Sequence, residues 1–344
     1  MFTINKFPAL LIGAFLTLNV FATEDTKLVR PDSENLKKWQ SLKYGMFIHY
    51  GMSTFTGNEH QKTKVDPALY APTQLDVDQW VRVARDSGMK YVVLTAKHTA
   101  GHCLWDSKVQ WQGKEFDYDV SQGTDKTDVI GAFVKACVKY KIRPALYYCF
   151  EDYVNNSNYH GNGPGRAAFN MPSDYNQLVK DHLKELMTLY PEVTYLWLDI
   201  PVQASTAQRT EIYSMIKEIN KESIVLYNWG WGKGAESLEK SARKTWPRDI
   251  INTELYPLKV GQFKSRQTYQ GTIYEVGYEH CDKIGTGWFW SPKEKPRALS
   301  ELATLYKQVK EAGGNLLLNV PPDRSGRITE ASIKTLQELK HVIE

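Results

Sequence analysis

Apolar residues along this chain gather into six short runs: 44–51 (YGMFIHYG), 91–98 (YVVLTAKH), 143–150 (RPALYYCF), 195–200 (YLWLDI), 223–229 (SIVLYNW) and 314–320 (GNLLLNV). None alternates cleanly between apolar and polar residues, so each reads as a strand buried on both faces, the habit of parallel sheets. Between them lie segments of helical periodicity at 76–87, 128–141, 174–189, 206–220, 296–311 and 329–343. In 128–141, Val129, Ile130, Phe133, Val134 and Cys137 recur at three- and four-residue steps and make one buried stripe. Strand and helix therefore alternate, which predicts parallel βαβ units, either closed as a barrel or open as a doubly wound sheet. No GxGxxG or GxxxxGK[ST] follows the first run, so the open nucleotide-binding sheet loses its main support. Residues 249–256 (DIINTELY) and 285–290 (GTGWFW) are the candidates for the two remaining strands of an eight-stranded α/β barrel.

The ends of the chain and its composition refine this picture. Lys6, the apolar stretch 8–21 and Ala22 read as a signal peptide over 1–22, its apolar core shorter than the ~20 residues of a membrane-spanning helix. The expected product is an exported, periplasmic or secreted protein without a membrane span, whose single domain is 23–344, longer than a typical ~250-residue barrel. The net charge of +4 comes without clusters of Lys and Arg, which argues against a nucleic-acid partner. Ten Trp and twenty Tyr lean towards carbohydrate, since sugar C–H faces stack on aromatic planes. Cys103, Cys137, Cys149 and Cys281 show no metal-like spacing, and either buried thiols or disulfides fit them.

Most runs end in a residue able to do chemistry, and active sites of parallel barrels collect at the C-terminal strand ends. Asp199 closes YLWLDI, where a buried carboxylate needs a partner or a job. Glycoside hydrolysis commonly uses two carboxyl groups, so a second acid is sought among Glu254, Glu275, Glu279 and Glu59. Glu254, at the end of a strand-like run, has the best position. His49 and His98 end neighbouring runs and are candidates to donate to sugar hydroxyls. With one His rather than an HxH pair on the first run, neither metal nor cofactor is expected. Trp105, Trp197, Trp288 and Trp290 are candidate pocket walls that would raise the pKa of the acid. Residues 153–168, rich in Asn and Gly, are expected to lie over the barrel mouth as a lid.

The stretches WQSLKYGMFIHYGMSTFTGNE, MKYVVLTAKHTAGHCLWDSK, YLWLDI and GGNLLLNVPPDRSGRI resemble the α-L-fucosidases of glycoside hydrolase family 29, from about Trp39 to the C-terminus. GWFW followed by LLLNVPPDRSG resembles the branch acting on branched fucosylated glycans. The resemblance implies a (β/α)8 TIM-like barrel, no metal, and a retaining mechanism through a covalent glycosyl-enzyme. It places Asp199 on the nucleophile, His49 and His98 on sugar-binding histidines, Tyr148 and Trp197 in the pocket lining, and Glu59 near the sugar. Glu254 is the best match for the acid/base, with Glu279 second. Where the family reads HHDGF, this chain reads HTAGH, so Thr99, Ala100 and His102 depart from the pattern, as does His60 after Glu59. Thr99 and His102 then become candidate contacts for a related sugar such as an α-L-galactoside. A catalytically idle glycan-binding barrel is the remaining alternative. The β-sandwich often attached to these barrels is not expected, because 329–343 reads as the closing helix.

Overall fold

The structure is a computed structural model that describes residues 28–156, 170–229 and 237–344. The signal peptide expected at 1–22 and most of the lid expected at 153–168 lie outside the described residues. Eight strands run parallel: β1 (Tyr44–Ile48), β2 (Tyr91–Lys97), β3 (Arg143–Cys149), β4 (Tyr195–Asp199), β5 (Ile224–Asn228), β6 (Ile250–Glu254), β7 (Gly277–Lys283) and β8 (Asn315–Asn319). They pair in the order β5-β4-β3-β2-β1-β8-β7-β6, which bends the sheet into the predicted barrel. β5 and β6 close it without a ladder. Asp249 N–H donates to the Val225 carbonyl at 2.8 Å, and the Asp249 carboxylate accepts Val225 N–H at 2.9 Å. At the other end of the seam, Asn252 Nδ2 donates to Asn228 Oδ1 at 2.6 Å.

Each strand turns alternate residues inward, as a period of two demands. In β3, Ala145, Tyr147 and Cys149 join the interior cluster, whereas Leu146 and Tyr148 pack between the barrel and its helices. The helix Ser33–Gln40 adds Leu36 and Trp39 to the interior cluster, with the Trp39 ring edge-on to Tyr195 at 5.5 Å. Gly45 is required here. A Cβ at that position would lie 2.5 Å from the Tyr91 ring, and the Tyr91 hydroxyl reaches Glu279 inside the barrel.

The six predicted helices form as Val77–Asp86, Val129–Tyr140, Ser173–Leu189, Thr206–Ile219, Leu299–Glu311 and Glu330–Ile343. The side chains of Asp76, Asp128, Ser205 and Thr329 cap four of them by accepting first-turn N–H groups. Leu238–Thr245 is an additional helix, between β5 and β6. The connection from β6 to β7 carries the hairpin Arg266–Tyr269 and Thr272–Glu275 where the other connections carry a helix.

One strand is corrected. The seventh is Gly277–Lys283, not 285–290. GYEHCDK hides its strand character behind Glu279, His280 and Asp282, two of which are buried inside the fold with hydrogen-bond partners. GTGWFW is a turn held by Glu294, whose carboxylate accepts the N–H groups of Thr286 and Gly287. All four cysteines are buried free thiols.

Candidate active site

The C-terminal ends of the strands enclose a pocket of about 430 Å³. Asp199 stands at its centre, where β4 register sets it beside Asn228 of β5. Three donors hold the carboxylate. Tyr147 O–H reaches Oδ2 at 2.7 Å, while Asn228 Nδ2 and Ile200 N–H reach Oδ1 at 2.8 and 2.9 Å. Ile200 itself adopts φ 50°, ψ 50°, a left-handed conformation that is costly for a β-branched residue and turns the chain sharply after Asp199. Burial raises the Asp199 pKa above the ordinary carboxylate value, and the Tyr147 and Asn228 bonds oppose it.

Glu254 ends β6 and faces the same pocket. Asn228 Nδ2 lies 3.4 Å from its Oε2, so one amide nitrogen bridges the two carboxyl groups. Burial first, then the negative charge of Asp199, pushes the Glu254 pKa up to about 7. With three short donors on Asp199 and one long contact on Glu254, the proton shared by such a pair belongs on Glu254.

The two histidines face this pair from β1 and β2. His49 Nδ1 is 2.8 Å from Asn319 Oδ1. Asn319 Nδ2 donates to the Trp288 carbonyl at 2.7 Å, which orients Oδ1 towards the ring. His49 therefore carries its proton on Nδ1 and keeps Nε2 as an acceptor. Burial lowers its pKa to about 3, and burial lowers His98 as well, so both rings are neutral at pH 7. His98 stacks on Tyr147 at 5.5 Å, and Tyr147 stacks on Trp197 at 5.4 Å. Trp288 covers His49 from the far side at 5.0 Å. Glu59 and His60 sit at the rim as a pair 3.4 Å apart.

Asp199, Glu254, His49, His98, Glu59, Trp197 and Trp288 thus meet in one pocket. Seven other expected site residues do not line it. Tyr148 points outward and bonds His182; Tyr147, one residue earlier, takes the inward place. Thr99 is buried behind His98, its hydroxyl 3.2 Å from His98 Nδ1 and donating to the Glu59 carbonyl. His102 packs between Tyr70 and Tyr118. Trp105 is buried and donates to Glu185. Glu279 is sealed within the barrel, where Tyr91, Tyr195 and Trp197 all donate to it, and burial raises its pKa to about 7. Trp290 is not among the residues that line the pocket, and Glu275 belongs to the outer hairpin. Besides Tyr147, the sequence reading missed Glu151, which lines the pocket and accepts hydrogen bonds from Tyr153 and Gln203.

A family model described as alpha-L-fucosidase matches residues 54–343, most of the chain and nearly the whole barrel. The chain belongs to the α-L-fucosidase family. It is 29% identical over 327 residues to alpha-L-fucosidase 1 of Arabidopsis thaliana, covering 91% of this chain and 60% of that relative. To human plasma alpha-L-fucosidase it is 24% identical, covering 90% of this chain and 68% of the human protein. The chain thus spans about three-fifths of the length of its plant relative. Among solved structures, alpha-L-fucosidase isoenzyme 1 from Paenibacillus thiaminolyticus shares the fold with a TM-score of 0.72 at 22% identity, over 90% of this chain and 75% of that one. AlfC from Lactobacillus casei, solved with alpha-L-fucose product, shares it with a TM-score of 0.67 at 21% identity, over 90% of this chain and 98% of that one. The barrel is therefore shared with bacterial α-L-fucosidases of known structure. Among the described residues no cluster of His, Cys, Asp and Glu is arranged to hold a metal ion, and no helix is long and apolar enough to cross a membrane.

Proposed function

We propose that this member of glycoside hydrolase family 29 is an exported enzyme that releases terminal α-L-fucose from oligosaccharides or glycoconjugates with retention of configuration. The observation that carries the reading is the Asn228 bridge. Oxygens 2.8 and 3.4 Å from one nitrogen are no more than about 6 Å apart. That reaches the ~5–5.5 Å spacing of retaining enzymes and falls short of the ~6.5–9.5 Å that inverting enzymes need for an intervening water.

In this reading Asp199 attacks the anomeric carbon, and Glu254 gives its proton to the departing glycosidic oxygen. The resulting ester is opened by a water that Glu254, now ionised, deprotonates, so the sugar leaves with its original configuration. His49 and His98, both neutral, hold sugar hydroxyls. Trp288 of the GWFW turn lines the pocket, and branched fucosylated glycans remain the substrates expected from the GWFW and LLLNVPPDRSG resemblance. The α-L-galactoside alternative loses its residues, since Thr99 and His102 stand outside the pocket. A second carboxyl group with a pKa near 7 is an acid poised for work at neutral pH, which disfavours an idle binding barrel.

Azide distinguishes the two carboxylates. Asp199→Ala should lower turnover of an aryl α-L-fucoside at least ~10³-fold, the scale of removing a covalent nucleophile, with azide yielding the β-fucosyl azide by a single inversion. Glu254→Ala should instead form its intermediate slowly and, with azide, yield the α-fucosyl azide by double inversion. Wild-type turnover in Asp199→Ala, or the opposite pair of azide products, overturns the assignment. Recovery of the protein outside the cytoplasm with its first residue near 23 tests export.

A further inference from the structure

Among the described residues, six non-glycine residues have positive φ. Lys141 caps a helix C-terminus, and Gln112 and Gln270 form the tips of two-stranded hairpins, ordinary places for a left-handed residue; Lys43 centres a tight turn before β1, where Tyr44 N–H donates to the Leu42 carbonyl at 2.7 Å. The remaining two directly follow Asp199 and Glu254. Ile200 follows Asp199, and its N–H donates to that carboxylate. Leu255 follows Glu254 with φ 67°, and Tyr256 N–H donates back to the Glu254 carbonyl at 2.8 Å. A hydrogen bond from residue i+2 to residue i around a positive-φ centre is a γ-turn of the rare, strained kind. Strain of this sort persists only where the surroundings impose it; of the two such turns, the one at Lys43 lies before β1 and the one at Leu255 lies at the pocket end of β6.

The turn ends β6 abruptly and lifts the next residues into solvent. Tyr256 is 77% exposed and Val260 67%, the two most exposed large apolar side chains among the described residues, with Leu255 at 48% in the same short stretch. The loop is nevertheless anchored. Leu258 is buried, and its N–H donates to the Tyr278 hydroxyl at 2.8 Å. A tethered loop thus holds an aromatic ring and an aliphatic side chain in water immediately beyond Glu254.

We propose that Leu255 and Tyr256 form the platform for the leaving-group sugar of the substrate. The inference rests on the reading of Asp199 and Glu254 given above. An acid that protonates the glycosidic oxygen touches the bond joining the two sugars. With the terminal sugar inside the pocket, the second sugar extends from Glu254 towards solvent, where the γ-turn presents these side chains. An aromatic plane beside an aliphatic side chain suits the apolar C–H face of a pyranose ring.

The test compares two substrates of the full chain. One is a fucosylated disaccharide, which carries a leaving-group sugar; the other is α-L-fucosyl fluoride, which carries none. Tyr256→Ala should lower kcat/KM on the disaccharide about tenfold, mainly through KM, while leaving the fluoride unchanged. Tyr256→Phe, which keeps the ring, should behave as wild type on both. Equal losses on the two substrates, or no loss on either, overturn the platform. Wild-type inactivity on both substrates overturns the reading of the site and the platform with it. The high exposure of Tyr256 makes a folding defect an unsuitable explanation for a loss confined to the disaccharide, and the unchanged fluoride rate of the same preparation checks this directly.

Discussion

At the scale of single residues, the site depends on where one proton sits, and two measurements address it. Tyr147 donates to Asp199 and thereby favours its ionised form. Tyr147→Phe removes a hydrogen bond to a charged group, worth ~1.5–3 kcal/mol, so kcat/KM should fall roughly 10- to 100-fold. Because the lost bond had lowered the Asp199 pKa, the acid limb of the pH–kcat/KM profile should move to higher pH; a rate loss without that movement would assign Tyr147 to packing alone. In the proposed reading, Glu254 should set the other limb. Its pKa of about 7 means that the acid form is present below this value and lost above it, so kcat/KM on a sugar leaving group should decline above about pH 7. On α-L-fucosyl fluoride, whose leaving group needs little protonation, the decline should weaken; an unchanged basic limb would point to a different ionisation. The sequence exposed Asp199 because a carboxylate stands out at the end of an apolar run. It could not separate Tyr147 from Tyr148, since a doubly buried strand is apolar on both faces and its pattern conceals which parity points inward. Thr99, His102 and Trp105 were misplaced for a related reason. They follow a strand end in sequence, but the chain after β2 turns behind His98 rather than across the pocket.

At the scale of elements, the barrel was legible wherever strands were apolar and fell out of view where they were not. β7 carries Glu279, His280 and Asp282, and Glu279 is accommodated inside the barrel because donors on β2 and β4 meet it. Those donors are far away in sequence, so no local pattern reports them. The β5–β6 seam depends on a similar substitution of side chain for ladder. Asp249 accepts the Val225 amide, the Tyr213 hydroxyl at 2.7 Å and Lys217 Nζ at 2.9 Å, with Lys217 and Asp249 almost wholly buried. Asp249→Asn would leave the Lys217 ammonium without its counter-charge, and breaking one side of a buried pair typically costs ~3–5 kcal/mol. Urea unfolding should show a loss of that order. A loss below ~1 kcal/mol would mean that the backbone bond from Asp249 to Val225 closes the seam without help from the carboxylate.

At the scale of the whole molecule, all eight strands contribute to the pocket or to the residues that orient it. His49 follows β1, His98 follows β2, and Tyr147, Asp199, Asn228 and Glu254 come from β3 to β6. Trp288 follows β7, and Asn319 of β8 fixes both Trp288 and His49. A ligand that fills the pocket therefore bridges the whole barrel, including the seam where β5 and β6 lack a ladder. A fucose-shaped iminosugar, whose ring nitrogen is cationic, provides the probe. Its charge pairs with Asp199 throughout and with Glu254 once that group ionises, so affinity should rise as pH passes through about 7 until the inhibitor itself loses its proton. At a concentration of ~100 Kd, binding to the native state alone adds ~2.7 kcal/mol of stability. Because the ligand touches groups from around the barrel, that gain should appear as one higher, equally cooperative thermal transition. Asp199→Asn should lose most of the shift, as it removes the charge nearest the cation. A biphasic transition, in which ligand stabilises one part of the chain and leaves another melting at its original temperature, would show that the pocket does not tie the eight strands into one unit.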